Sequence, residues 1–372
     1  MERSNYIFFQ GNTQYENTGD VLINKALIEL LREHGAIIVN NTEMPAWYVQ
    51  DLELKPEECI TTTGTSFNSY LIKQVVDSKS NNKNIFLIAG PPGHLFGNSA
   101  QKSFRNLISA SLFVFLRLYK VKILKVGFSM GPIGRTLGIT EFLRASTNQY
   151  YLVRDSLSLK LAKSLGIKHA RFHPDLAWMY KVSLTENSKE KSKIMVSFRD
   201  SVVEGQSSGQ YLDALKNNLF AMLKNLDKKY KIEIVYQVKR DYTFCKKLYT
   251  QLSTELEVSF NETQVTLNNA NEAYTGASCI LTNRLHGALL AYKYGALPLV
   301  LTDANDHLKI KGIYMDAGID DLLLNVNDSI ESNIAKFTAL MSDYDSIIER
   351  LDAKQIEYNK LSATIFSEIF KD

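Results

Sequence analysis

The feature that most constrains the fold is an alternation of short apolar runs with longer amphipathic segments. Runs such as YIFF at residues 6–9 and NIFLIAG at 84–90 are too short for helices and are typical of buried strands. Between such runs stand segments such as GDVLINKALIELLREHG at residues 19–35, whose apolar residues recur at helical spacing. Strands that alternate with helices in this way predict a parallel α/β sheet.

The alternation occurs twice, on either side of the polar stretch TENSKEKSK at residues 185–193. A chain of 372 residues also exceeds the size at which one hydrophobic core usually stops growing. We therefore expect two Rossmann-like domains that face a central cleft, one in residues 1–183 and one in residues 193–340. Residues 341–372 are expected to form a helical tail that crosses back to the first domain.

Composition excludes several classes of function. The 43 basic and 40 acidic residues leave a net charge of +3, too small to indicate a nucleic-acid partner. The three cysteines, Cys59, Cys245 and Cys279, are isolated, so neither a metal site nor a disulfide framework is indicated.

The N-terminal segment MERSNYIFFQGN lacks the apolar core of a signal peptide, which favours a cytoplasmic protein. The most membrane-like segment, residues 107–124, is interrupted by Arg117, Lys120 and Lys122 and is too short to span a bilayer. We expect a buried helix that leads into a strand. Basic residues beside Phe and Leu also suit a membrane surface, so a peripheral contact at the inner face of the membrane is the alternative.

Reactive side chains follow two predicted strands of the C-terminal half. Arg199 stands in SFRD at residues 197–200, and Arg284 and His286 stand in TNRLHG at residues 282–287. A helix is predicted to begin beside His286, where free backbone amides favour an anion. Two arginines at such a position could bind a small polyanion, and the histidine could exchange protons near neutral pH. These residues indicate an anion-binding α/β enzyme.

The N-terminal half offers further candidates at its strand exits. Asn17 and Asp20 precede a helix in NTGD, while His94 and Arg135 stand in the glycine- and proline-rich loops GPPGHLFGN and FSMGPIGRTLG. Such loops either hold a ligand or only turn the chain, and neither has the spacing of a known phosphate-binding motif.

Read together, these segments resemble the polysaccharide pyruvyl transferase family. The similarity runs from NTGDVLINKAL through AGPPGHLFG, GFSMGPIG, VRDSLSLKLAKSLGI, HPDLAW and VSFRD to TNRLHGALLAYKYGALPLVL, over residues 10–315. Its most specific element is the R-L-H-G unit. One departure is AGPPGHLFG, where the family usually has a run of glycines.

The resemblance implies a GT-B-like fold and transfer of an enolpyruvyl unit from phosphoenolpyruvate onto two hydroxyls of a sugar. The product is a pyruvate ketal on a cell-surface polysaccharide or its lipid- or nucleotide-linked precursor. By position, Arg284, Leu285 and Arg199 match the donor-binding residues, and His286 matches the catalytic histidine. The scheme requires no metal and no cofactor besides the donor substrate.

The resemblance leaves the sugar acceptor open. Because the donor arginines belong to the C-terminal half, we expect the acceptor against the N-terminal domain, near Asn17, Asp20, His94 and Arg135. Two alternatives remain: a GT-B-type glycosyltransferase with a nucleotide-sugar donor, and a non-catalytic binding protein for anionic sugars.

Overall fold

A computed structural model describes residues 4–78, 83–182, 191–201 and 209–371. Most of the predicted linker, residues 185–190, lies outside these ranges. The chain divides into two compact units. The first draws on Met1–Tyr15, Ile23–Met179 and Tyr358–Asp372, and the second on Glu16–Leu22 and Tyr180–Glu357.

The first unit is built on a sheet of seven strands, each paired with its neighbours in parallel. They are β1 (Ser4–Phe9), β2 (Ala36–Val39), β3 (Lys83–Ile88), β4 (Gly93–Gly97), β5 (Lys122–Ile133), β6 (Tyr150–Val153) and β7 (Ala170–Phe172). The order is β2-β1-β3-β5-β6-β7, with β4 paired to β5. The helices are α1 (Thr18–Arg32), α2 (Ala46–Asp51), α3 (Phe67–Asp77), α4 (Ala100–Leu118), α5 (Arg135–Ala145) and α6 (Ser156–Ser164).

The second unit holds a parallel sheet of six strands in the order β10-β9-β8-β11-β12-β13. They are β8 (Lys193–Ser197), β9 (Lys231–Ile234), β10 (Val258–Phe260), β11 (Ala277–Thr282), β12 (Leu297–Thr302) and β13 (Leu323–Asn325). Its helices are α7 (Gly209–Lys224), α8 (Tyr242–Leu252), α9 (Ala270–Tyr274), α10 (Leu285–Lys293), α11 (Leu308–Ala317), α12 (Ile330–Ser342) and α13 (Tyr344–Lys371). Both sheets confirm the predicted fold class.

The helices pack on the sheets because both the strands and the helix faces that meet them are apolar. The central strands β11 and β12 are buried along their whole length, as expected for parallel strands covered on both faces. In the first unit, Phe8, Leu87 and Ile123 of three neighbouring strands pack with Leu71 of α3 and Phe113 of α4. Side-chain oxygens of Ser66, Ser99, Asp155 and Ser329 cap the helices α3, α4, α6 and α12.

Two glycine- and proline-rich segments differ from the prediction that they are loops. Gly93–Gly97 forms β4, and the segment from Phe128 to Ile133 continues β5 as its parallel partner. The segment RTLG, predicted as part of the second loop, opens α5 instead. Glycine and proline usually interrupt strands, and a pairing between two such segments has no periodic signal in the sequence.

Two helices carry the chain from one unit to the other. Helix α1 begins in the segment Glu16–Leu22 and continues in the first unit from Ile23. The first part of α13 belongs to the second unit, and its residues from Tyr358 onward belong to the first. None of the helices in the described ranges is both long and apolar enough to cross a membrane.

Candidate active site

The candidate site lies where the strand order of the second sheet reverses. From β8 the chain proceeds outward through β9 to β10 and then returns to β11 on the other side of β8. The ends of β8 and β11 are in register, with Ser197 paired to Thr282. Arg199 and Arg284 each follow two residues later, so both leave the sheet at the same edge. Open α/β sheets bind ligands at this kind of switch point.

Asn283 fixes the backbone of Arg199. The amide of Arg199 donates to Asn283 Oδ1 over 2.9 Å, and Asn283 Nδ2 donates back to the carbonyl of Arg199 over 2.9 Å. The same Nδ2 lies 3.0 Å from the hydroxyl of Tyr211, which accepts a second hydrogen bond. These bonds join the two strand ends and hold Arg199 at a defined position.

Asp241 holds Arg284 by two parallel hydrogen bonds. Arg284 Nε donates to Asp241 Oδ2 over 2.7 Å, and Nη2 donates to Oδ1. Burial raises the pKa of Asp241, and the positive charge of Arg284 opposes that shift. A bidentate pair of this kind fixes the plane of the guanidinium and leaves part of it for another partner.

The site carries more positive than negative charge. Burial, and after it the positive charge of Arg284, lowers the pKa of Arg199 to about 10. Arg284, Arg199 and the exposed Arg240 all act on the single carboxylate of Asp241. Guanidinium groups this close repel one another, so a small polyanion bound among them would relieve the repulsion.

His307 supports Arg199 from a third strand. Arg199 Nη2 lies 3.0 Å from His307 Nε2, and His307 Nδ1 lies 3.0 Å from Thr302 Oγ1 at the end of β12. A guanidinium can only donate, so Nε2 accepts and the proton of the ring is on Nδ1. This arrangement aims the guanidinium of Arg199.

His286 occupies the second position of α10, directly after the buried Leu285, and Arg284 is the N-cap residue. Gly19 lies against it: a Cβ atom added to Gly19 would lie 2.7 Å from His286 Cβ and 2.9 Å from Nδ1. Real Cβ atoms do not approach so closely, so the absence of a side chain at Gly19 permits this contact.

The segment Glu16–Leu22 is tied to the second unit by its backbone and side chains. The amide of Thr18 donates to the carbonyl of Gln237 over 3.1 Å, and its hydroxyl donates to the carbonyl of Val265 over 2.8 Å. Asn17 accepts from the amide of Gly19 over 3.0 Å and donates to Asp20 over 3.1 Å. Asn17 therefore caps α1.

The structure separates the four residues predicted to contact the acceptor. Asn17 and Asp20 belong to the second unit, together with Arg199, Arg284 and His286. His94 and Arg135 belong to the first unit, where the exposed His94 stacks on Phe96 and the exposed Arg135 opens α5. Their roles stay predictions.

The segments VRD and HPDLAW, which contribute to the family resemblance, place buried polar side chains in the interior of the first unit. Arg154 forms an ion pair of 3.0 Å with Asp175, and both side chains are buried. His173 is also buried, with Nε2 3.0 Å from Ser362 Oγ, and burial lowers its pKa to about 4. These residues stabilise the strand ends.

The first unit has a polar pocket of about 230 Å³ at the carboxyl ends of β1 and β2. Most of its lining side chains are amides, hydroxyls and a carboxylate, among them Gln10, Asn12, Asn40, Thr42 and Glu43. Within the described ranges, no cluster of three or more His, Cys, Asp or Glu residues could hold a metal ion.

Sequence reasoning missed Asp241, His307 and Gln237. They could have been found, because all three follow the ends of β9 and β12. The side chain of Gln237 packs against Gly287, and its Nε2 donates to the hydroxyl of Tyr274 over 2.8 Å. The contact of Gly19 with His286 joins distant parts of the chain and has no local signal.

Two parallel α/β units, with the candidate site at the switch point of the second sheet, define a protein of the GT-B class of folds. The family model for polysaccharide pyruvyl transferase matches residues 17–302. The chain therefore belongs to the polysaccharide pyruvyl transferase family. No curated protein sequence matches it significantly.

Solved structures share the fold at low sequence identity. A glycosyltransferase from Rickettsia africae is 12% identical with a TM-score of 0.60, covering 100% of this chain and 98% of the other. The UDP-GlcNAc 2-epimerase of Neisseria meningitidis is 11% identical with a TM-score of 0.57, covering 99% and 100%. UGT2 of Phytolacca americana, solved with UDP-2fluoro-glucose and pterostilbene, is 10% identical with a TM-score of 0.55, covering 99% and 100%.

Proposed function

We propose that this protein transfers the pyruvyl group of phosphoenolpyruvate to two hydroxyls of a sugar and so forms a pyruvate ketal. The proposal is supported above all by the adjacent guanidinium groups of Arg199 and Arg284 at one sheet edge. Phosphoenolpyruvate carries a phosphate and a carboxylate, and each can accept from a planar guanidinium. Membership of the family supports the same reaction.

In the proposed reaction His286 acts as the proton-transfer group. An acid protonates the CH₂ carbon of the enol, which leaves an oxocarbenium-like centre on the carbon that bears the phosphate ester. A first sugar hydroxyl adds there and loses its proton. The C–O bond to phosphate then breaks, and a second hydroxyl closes the ketal while its proton leaves with the phosphate. The position of His286 at the start of α10, close to Arg284, suits this role.

Each arginine has a defined part in this scheme. Asp241 orients Arg284, and His307 orients Arg199, so both guanidiniums are held before the donor binds. Preorganised positive groups stabilise the phosphate charge as the C–O bond breaks, without a reorganisation cost at that moment. Leu285 is buried and stands between Arg284 and His286 in the sequence, so it would help to position both beside the donor.

For the acceptor we propose polar side chains that can hydrogen-bond sugar hydroxyls. The pocket with Gln10, Asn40 and Glu43 has this chemistry, so it is a further candidate for the acceptor site, in addition to His94 and Arg135. Sugar recognition by amides and carboxylates is expected because amides both donate to and accept from hydroxyls, and carboxylates accept from them.

Phosphate release from phosphoenolpyruvate tests the proposal, measured with a panel of free, nucleotide-linked and lipid-linked hexoses. We expect acceptor-dependent release and an acceptor that gains one pyruvyl ketal by mass spectrometry. His286→Ala should lower kcat by about 100- to 10,000-fold with the Kd for phosphoenolpyruvate little changed.

His169→Ala, an exposed histidine of the first unit, is the matched control and should retain full turnover. Near-full turnover of His286→Ala at saturating donor would contradict the role of His286. Transfer of a sugar from a nucleotide donor, with phosphoenolpyruvate inert, would favour a glycosyltransferase instead.

A further inference from the structure

Helix α4 buries one face and exposes large apolar side chains on the other. Ser103, Asn106, Phe113 and Leu116 face the interior of the first unit. The opposite face exposes large apolar side chains at helical spacing, with 65% of Phe104 and 78% of Leu118 accessible; its other members are Leu107, Ile108, Val114 and Phe115. Residues spaced by three, four and seven positions form one continuous stripe on a helix.

The neighbouring helix α5 also exposes apolar side chains. It packs against α4 and exposes Ile139, Phe142 and Leu143. Asn106 of α4 donates to the buried Glu141 of α5 over 3.1 Å, and Arg117 donates to the carbonyl of Ser146 over 3.3 Å. We call the nine exposed apolar residues of the two helices the α4–α5 surface. Large contiguous apolar patches on a protein surface usually mark a site that binds another protein or a membrane.

The segment of the chain that contains this surface is strongly basic. Residues 78–182 contain 16 Lys and Arg but only three acidic residues, Glu141, Asp155 and Asp175. All three carboxylates are buried, with 0%, 1% and 1% of each residue accessible. Glu141 is neutralised by Lys125 and Arg144. The described residues of this part of the chain therefore expose mainly positive charge; one of them, Arg171, pairs with the exposed Glu368 of α13.

Basic side chains border the apolar stripe directly. Arg105, Arg117 and Lys120 are exposed along α4 and at its end, and Arg135 is exposed at the start of α5. A helix that lies in a membrane interface has this composition, with apolar residues below the headgroups and Lys and Arg at their level. The long basic side chains can extend to phosphate groups while their methylenes cover apolar surface.

A second copy of this chain fits the surface less well. A twofold interface brings the same patch of both copies together, so the basic borders would face each other. Like charges at such an interface repel. An anionic bilayer supplies both an apolar layer and negative charge.

We propose that the α4–α5 surface binds the protein to membranes that contain anionic phospholipid, with α4 parallel to the bilayer plane. This inference goes beyond the proposed function and does not depend on it, since it rests on exposure and charge in the first unit alone. Its failure would leave the binding of phosphoenolpyruvate unaffected.

Co-sedimentation of the full chain with vesicles tests the inference. One set of vesicles contains phosphatidylcholine alone, and the other contains equal amounts of phosphatidylcholine and phosphatidylglycerol. We expect binding to the anionic vesicles that weakens as salt is added, and little binding to the neutral ones. Phe104→Glu and Leu118→Glu should each abolish it, and Arg105→Gln and Lys120→Gln should each weaken it about fivefold.

Matched controls come from the second unit. Ile356→Glu, 55% exposed on α13, and Lys228→Gln, exposed beyond α7, should bind anionic vesicles as the unchanged protein does. Circular dichroism and thermal unfolding establish that each variant is folded. Absence of binding to anionic vesicles, or equal binding by folded Leu118→Glu, would overturn the proposal. A dimer in light scattering that Leu118→Glu converts to a monomer would assign the surface to self-association instead.

Discussion

The absence of a side chain at Gly19 permits its close contact with His286, the candidate catalytic group. Its amide is held by Asn17, and its α-carbon lies against His286 in the second unit. A methyl group at this position must displace either the histidine or the segment Glu16–Leu22. The contact explains why a residue near the N-terminus of the chain belongs to the site of the C-terminal half.

Gly19→Ala is therefore expected to lower kcat by about 10- to 100-fold, because a displacement of about 1 Å at a reacting group costs that much. The thermal unfolding midpoint should change little. Gly209→Ala is the matched control, since a Cβ there meets no atom within 4 Å. Steady-state phosphate release measures both variants, and unchanged turnover of Gly19→Ala would show that the close contact does not position His286.

Asp241 and His307 show how neighbouring residues fix the orientation of the two guanidinium groups. Each contacts one guanidinium, and each comes from a different strand exit of the same sheet edge. The two arginines are therefore oriented independently, although they repel each other. The proposed donor, with its two unlike anionic groups, would use one arginine for each.

At the scale of elements, the ends of β5, β6 and β7 are joined by buried polar groups. Ser129 accepts from Arg154 Nε over 2.8 Å and donates to Asp155 over 2.6 Å, and Arg154 pairs with Asp175. A buried pair whose partners are all hydrogen-bonded fixes strand ends in one arrangement, whereas loss of either partner leaves a buried charge.

His173, beyond β7, makes the stability of the first unit depend on pH. Its pKa is about 4 in the folded protein, because burial disfavours the charged ring, against about 6.5 in the unfolded chain. The unfolded chain thus binds the proton first, and the stabilising effect is lost as pH falls from 6.5 toward 4. Between about pH 7 and pH 5 this residue should remove about 2 kcal/mol from the free energy of unfolding.

Urea unfolding at these two pH values measures the effect, with His173→Gln as the comparison. The variant should show a smaller difference between the two pH values by about that amount. Parallel pH profiles for the two proteins would mean that His173 does not titrate as its burial requires.

At the scale of the whole molecule, the fold alone does not determine the chemistry. Proteins with TM-scores of 0.55 to 0.60 to this chain include a glycosyltransferase and an epimerase, at 10% to 12% identity. Function on such a scaffold depends on the residues at the strand ends. Here these are two arginines and a histidine, in a chain of the pyruvyl transferase family.

The sequence predicted those parts of the molecule that local periodicity determines. Parallel strands end at one edge of a sheet, so the exits of β8 and β11 could be brought together without coordinates, and with them Arg199 and Arg284. The pairing of β4 with β5 and the partners Asp241 and His307 depend on contacts between distant segments. Such contacts leave no periodic pattern, and glycine- and proline-rich segments hide the strands that they form.

The most direct test of the account is a calorimetric titration of phosphoenolpyruvate, with UDP-sugars titrated in parallel. Arg199→Ala and Arg284→Ala should each weaken phosphoenolpyruvate binding by about 10- to 100-fold, as expected for loss of hydrogen bonds to charged groups. Arg350→Ala, which breaks an exposed ion pair with Asp321 in the same unit, should leave the Kd unchanged. Equal binding by all four proteins, or tight binding of a UDP-sugar with no binding of phosphoenolpyruvate, would contradict the assignment of this site.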